Sequence, residues 1–156
     1  FYQRIHLMID PDATVILGET LLPGRVARDE MHDYSLYYAD TEAHTPDGAL
    51  LFADRLKLEP GSASPRSPGL LGSHNVLATL HVLTRQLAPD VLADRLHQCL
   101  ATRPEVLAGV SELPNSCGVG VRALGPTSAA MHAAMRLAWN EARLALTGRP
   151  APEARK

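Results

Sequence analysis

Ala49 to Leu58 reads ALLFADRLKL. Leu50, Phe52, Leu56 and Leu58 alternate with Leu51, Ala53, Arg55 and Lys57, and Asp54 falls on the side of Phe52 and Leu56. A period of two over nine residues is a strand with one buried face. The segment just before it, Thr45-Pro46-Asp47-Gly48, is a strong turn. Upstream of that turn, MHDYSLYYADTEA (31–43) is rich in β-formers. A strand, a turn and a second strand set the class: a mainly antiparallel β protein.

The pattern extends in both directions. Ile5, Leu7 and Ile9 alternate with Arg4, His6 and Met8, and Asp10-Pro11-Asp12 marks a turn. Ala13, Val15, Leu17 and Glu19 then alternate with Thr14, Ile16 and Gly18, so residues 4–19 are expected to form a hairpin. GSASPRSPGLLGS (61–73) has no periodicity and is expected to be a flexible loop. HNVLATLHVLT (74–84) returns to strand character.

Here the period changes. Pro89 suits a first helical turn, and Val91, Leu92, Leu96, Cys99 and Leu100 share a face, with Pro104 closing the helix. EVLAGVSELPNSCGVGVRALG reads as a hairpin around Pro114-Asn115-Ser116. The last element is a helix capped by Thr127 or Ser128 and ended by Gly148. Its apolar stripe is Met131, Met135, Ala138, Ala142 and Leu146. The expected architecture is one domain over residues 1–156, mainly antiparallel β, with two α-helices in the C-terminal half.

The bulk numbers narrow the function. At 156 residues and 46% hydrophobic, the chain supports a sizeable core, and 4% aromatic content makes that core aliphatic. A net charge of -2 gives no field to gather nucleic acid or an anionic membrane. Cys99 and Cys117 form no framework, and no apolar run is long enough to span a bilayer. Free thiols and a cytoplasmic setting are expected. The chain starts at Phe1 inside a strand-like pattern, which suggests a piece of a longer protein or a shortened member of its family.

Two carboxylates draw the chemistry. Glu19 and Asp54 both sit on the apolar sides of their strands, where an ionised group needs compensation. Either nearby arginines and solvent supply it, or the acids line a wet space where a cation pauses. GRVARDE (24–30) leaves a similar choice. It is a solvated loop, or it is a rim in which Arg25 and Arg28 fix the acids and Glu30 points toward a site. The seven histidines show no close i, i+2 or i, i+4 spacing and no CxxC accompanies them, which argues against a tight zinc centre. There is no GxSxG, P-loop or GxGxxG, and a turn explains PNSCGVG around Cys117 without a nucleophile. Trp139 is core or an interface anchor.

Three segments together resemble the urease accessory protein family UreD, also called UreH. They are ETLLPGRVARDE, ALLFADRLKL and MRLAWNEARLALTGRPAPEARK, with AGVSELPNSCGVGVRALG fitting the penultimate hairpin. Asp29 stands where family members usually have glycine, and the family's N-terminal Gly-Gly-Asp-type segment has no counterpart. The resemblance implies a β-rich scaffold without catalytic turnover, acting in nickel delivery to the urease apoprotein with the accessory proteins UreF and UreG. It implies a transient nickel ion and no tightly bound cofactor. Glu19, Asp54 and Glu30 match family acids by position and become candidate route residues. Arg25, Arg28, Trp139 and Arg143 become candidate binding residues. Carboxylates suit such a route, because isolated oxygen ligands hold a late divalent metal weakly where thiolate and imidazole clusters trap it. The rival is a small β-rich enzyme using Glu19 and Asp54 as an acid/base pair, and a plain interaction module is a third reading.

Overall fold

The computed structural model describes residues 1–25, 28 and 30–152. Among the described residues seven strands form two sheets. The first holds β1 (Tyr2–Met8), β3 (Tyr37–His44) and β4 (Leu50–Leu58) in the order β1-β3-β4. The second holds β2 (Val15–Leu21), β5 (Val76–Leu83), β6 (Leu107–Glu112) and β7 (Gly118–Gly125) in the order β2-β5-β7-β6. Helices α1 (Pro89–Leu100) and α2 (Ser128–Thr147) cover the outer face of the second sheet. The result is three layers: three-stranded sheet, four-stranded sheet, helices.

The mainly β class with two C-terminal-half helices is what the alternation demanded. The β3–β4 hairpin closes through Thr45 N–H to Ala49 O at 2.9 Å, and the β6–β7 hairpin through a 3₁₀ turn at Pro114–Ser116. The first hairpin, by contrast, does not form. β1 runs parallel to β3, with Arg4 opposite Asp40 and His6 opposite Glu42, whereas β2 joins the other sheet antiparallel to β5. The reason is that alternation fixes which face of a strand is buried but not which strand pairs with it. The connection over residues 9–14 is long enough to step between layers roughly 10 Å apart. Along it Ile9, Ala13 and Val15 join Phe52, Leu83 and Cys117 in a small core between the sheets.

The larger core lies between the second sheet and the helices. Alternate residues of β5 and β7 (Val76, Ala78, Leu80, Val82; Val119, Val121, Ala123) meet Leu92, Leu96 and Leu100 of α1 and Met131, Ala134, Ala138 and Ala142 of α2. Val91 does not share the buried face of α1; it stays exposed, since i and i+1 lie on different helix faces. Met135 and Leu146 pack only at the margin of the core, and Ala134 takes the central place. The small residues on α2 let it approach the sheet closely. Thr127 caps α2 by accepting the Ala130 N–H at 3.2 Å, and Gly148 ends it with φ +65°. Residues 61–73 form a run of turns pinned by the buried Leu71, with the Leu71 N–H bonded to Pro65 O at 2.9 Å.

Candidate functional site

Between the two sheets the interface is apolar at one end and polar in its middle. The inner face of the three-stranded sheet presents Gln3 from β1, Thr41 from β3 and Asp54 from β4, and the facing strands present Glu19, Thr79, His81 and Arg122. The period of two explains this placement. Asp54 lies between Phe52 and Leu56, and Glu19 continues the face of Val15 and Leu17. Thr41 pairs with Asp54 in one sheet, and Thr79 pairs with Glu19 in the other.

Glu19 and Asp54 thereby line one small cavity of about 20 Å³, shared with Thr41, Thr79, Tyr37 and Leu56. That volume is roughly one water molecule's worth. Each carboxylate residue also borders a larger cleft. Glu19 borders a cleft of about 380 Å³ between β2, β5 and α2, which Trp139 and Arg136 also line. Asp54 borders another of about 370 Å³ against β6 and β7, with His81 and Arg122.

Neither acid is left bare. Gln3 Nε2 donates to Glu19 Oε1, joining β1 to β2 across the layers. Asp54 is held more firmly. Arg122 Nη2 sits 2.8 Å from each of its oxygens, and His81 Nε2 lies 3.3 Å from Oδ2. The His81 contact first, then the hydrogen bond and charge of Arg122, outweigh burial and hold the Asp54 carboxyl down at about 2. His81 is itself buried and packs at a tilt of 48° against Phe52, the ring centroids 5.0 Å apart.

The GRVARDE loop is folded on itself. Arg25 donates from Nε to Glu30 Oε2 at 2.6 Å and from Nη2 to Oε1 at 3.1 Å, a two-pronged pair. Gly24 adopts φ +112° where a Cβ would meet the Glu30 carbonyl oxygen at 2.6 Å, so only glycine permits this return. Arg28 is exposed, its N–H bonded to Arg25 O at 2.8 Å. Glu30 is not among the residues lining the Glu19–Asp54 cavity. Asp29 lies outside the described residues, as do 153–156 of the C-terminal segment.

On α2, Trp139 is half-buried at the cleft and the Arg143 guanidinium sits 5.9 Å from its ring centroid. Asn140 Oδ1 accepts the Ala151 N–H at 2.9 Å, so the chain after Gly148 lies back along the helix. Both thiols are free. Burial, with Glu141 adding to it, pushes Cys99 up to about 11, and burial raises Cys117 as well. An inert, buried thiol does not serve as a nucleophile at neutral pH. Among the described residues no helix is long and apolar enough to cross a membrane.

Sequence reasoning named Glu19 and Asp54 but missed three partners that come to them: Gln3, His81 and Arg122. A polar side chain on the apolar register of β5, in HNVLATLHVLT, was the available signal for His81. Arg122, in the matching register of β7, was another.

The family model described as UreD urease accessory protein matches residues 1–156. Urease accessory protein UreD 2 of Streptomyces griseus is 40% identical over 158 residues, covering 100% of this chain and 54% of the relative. Urease accessory protein UreD of Haloarcula marismortui is 37% identical over 156 residues, covering 100% of this chain and 52% of the relative. Urease accessory protein UreD 2 of Brucella suis is 32% identical over 155 residues, covering 98% and 51%. The chain thus spans about half the length of the curated relatives it matches. With a family match running from its first residue to its last, the chain belongs to the UreD urease accessory protein family.

Proposed function

We propose that the chain works in urease maturation as a non-catalytic scaffold, and that the polar seam between its sheets is a stopping place for a nickel ion in transit to the urease apoprotein. UreF and UreG are the accessory partners in this reading, and the setting is cytoplasmic. The observation that carries it is the shared cavity. Glu19 and Asp54, from opposite sheets, close on one water-sized space, and each borders a larger cleft on its own side. That arrangement supports successive weak oxygen ligands rather than a single deep well. It also favours the route over the acid/base rival, since a space of about 20 Å³ admits a hydrated ion's ligand water but not an organic substrate.

Asp54 gives the seam a latch. It is ionised throughout the physiological range, so it can exchange the Arg122 guanidinium for a passing dication without first losing a proton. Glu30, Arg25 and Arg28 form a charged rim in this proposal, and Trp139 with Arg143 forms part of the partner-facing surface of α2. The test replaces both Glu19 and Asp54 by Ala in the full-length protein, assembled with UreF, UreG and urease. Complex formation should persist while urease activation falls at least about tenfold, the usual scale for loss of metal-handling ligands. Unchanged activation would mean that the two carboxylates are ordinary structure.

A further inference from the structure

The outward face of the three-stranded sheet carries a second set of metal-competent side chains, one of them remote in sequence from the other two. His6 is on β1, and Glu42 and His44 are alternate residues of the parallel neighbour β3. Parallel pairing places His6 opposite Glu42 and Met8 opposite His44, so all three side chains rise from the same side of the sheet. His6 Nε2 and His44 Nδ1 are 2.9 Å apart, the rings meeting edge to face at 76°. One ligand atom from each of His6, Glu42 and His44 lies within 4.8 Å of the other two.

These distances have a chemical meaning. Two imidazole nitrogens bound to one late divalent ion at roughly 2.0–2.1 Å, with an angle of about 90–110°, are about 2.9–3.4 Å apart. The contact is a ring-to-ring hydrogen bond, and an ion taking the place of its shared proton would keep the two nitrogens at that spacing. Glu42 supplies the third group, standing on the Nε2 side of the His44 ring rather than beside the Nδ1 that faces His6. Arg55 Nη2 holds its Oε1, leaving Oε2 turned toward His44 at 4.0 Å from Nε2. Arg55 is steadied in turn by Asp40, with Nε 3.2 Å from Oδ1, and Asp40 also pairs with Arg4 at 3.4 Å. These ion pairs hold the carboxylate in place, as hydrogen-bonded groups behind the ligands do at metal sites. It also matches the two guanidiniums with two carboxylates, so a cation does not approach a positive patch.

We infer that His6, Glu42 and His44 form a surface site for a late first-row divalent cation. Two nitrogens and a carboxylate select Ni²⁺, Cu²⁺ or Zn²⁺ over Mg²⁺ and Ca²⁺, which take oxygen ligands. His6 is exposed, so the ion enters from solvent and keeps water on its remaining positions. The site lies on the opposite face of the sheet from the Glu19–Asp54 cavity, and its existence does not depend on that cavity being a route.

The test titrates the purified chain with Ni²⁺ alone, and with Zn²⁺ alone, against a chromophoric chelator. One ion per chain should bind at this site. His6→Ala and His44→Ala should each weaken it at least about tenfold, Glu42→Gln by less, and His97→Ala on α1 not at all. A second measurement uses only the unaltered chain: Ni²⁺ should slow modification of His6 and His44 by diethyl pyrocarbonate, mapped by mass spectrometry, and leave the exposed His97 and His132 reactive. A His6→Ala/His44→Ala variant that binds Ni²⁺ as the unaltered chain does would overturn the assignment. So would His6 and His44 that react equally fast with and without the metal.

Discussion

Asp54 of β4 and Arg122 of β7 meet across the two sheets, one guanidinium nitrogen standing 2.8 Å from both carboxylate oxygens. With Gln3–Glu19 and His81–Asp54 making further cross-layer contacts, the middle of the interface is joined by polar side chains where a β-sandwich ordinarily uses apolar ones. The pair makes the fold sensitive to acid. The Asp54 carboxyl titrates at about 2 in the folded chain, below its unfolded value, so the unfolded chain binds more protons in between. The stability it contributes is present above pH ~4 and is lost as pH falls toward 2. The shift corresponds to ~2 kcal/mol, and solvent screening of a side chain 26% exposed lowers this to about 1–2 kcal/mol. Denaturant titrations from pH 5 to pH 2 should show that slope in the unaltered chain and a flatter one in Asp54→Asn.

His32 acts at higher pH in the same direction. Burial first, and the Arg66 charge second, lower its pKa, so the folded chain favours the neutral ring. Its Nε2 has no hydrogen-bond partner among the described residues. Because the unfolded chain takes up this proton first, stability should fall as pH drops below about 6.5. His32→Asn, which keeps a residue tolerant of the local φ of +55°, should remove the step in a plot of unfolding free energy against pH.

Gly118 is the least replaceable backbone position. Its φ is +142°, and an added Cβ would lie 1.9 Å from the Val82 carbonyl oxygen in the neighbouring strand. Nothing there is a flexible side-chain end that could yield. Gly118→Ala should cost about 3 kcal/mol or more and shift the denaturation midpoint accordingly, or prevent soluble expression altogether.

The thiols report packing. Cys99 at about 11 and a raised Cys117 should react slowly with a thiol-specific chromogenic reagent at pH 8 while the chain is folded. Both should react at once in guanidinium. Fast labelling of the native chain would show the β1–β2 corner or the α1 face to be loosely packed.

The sequence disclosed periodicity and little of partnership. ALLFADRLKL declared both its strand and the inward direction of Asp54 by its alternation from Phe52 to Leu58, but at its start Leu51 is buried and Leu50 exposed, the reverse of the expected sides, where the β3–β4 register shifts. PDVLADRLHQCL and the segment after Thr127 declared their helices by spacing and caps. What stayed hidden depends on which strands lie side by side. The parallel β1–β3 pair needs a tertiary choice that Asp10-Pro11-Asp12 does not encode, and it is this pair that brings His6 to His44. The approach of Arg122 and His81 to Asp54 depends likewise on the stacking of one sheet over the other. Glu42-Ala-His44 was the one local hint of a metal-competent face: on a strand, residues two apart share a side.

The route itself is tested most directly by plugging it while leaving both carboxylates in place. Thr79 lines the cavity opposite Glu19 on β5, and Thr79→Leu adds bulk to a space of about 20 Å³. The measurement is the nickel content of urease matured with the full-length variant, UreF and UreG, alongside recovery of the complex. The account predicts an intact complex and urease that stays largely nickel-free. Urease filled to the normal level through a plugged seam would contradict it.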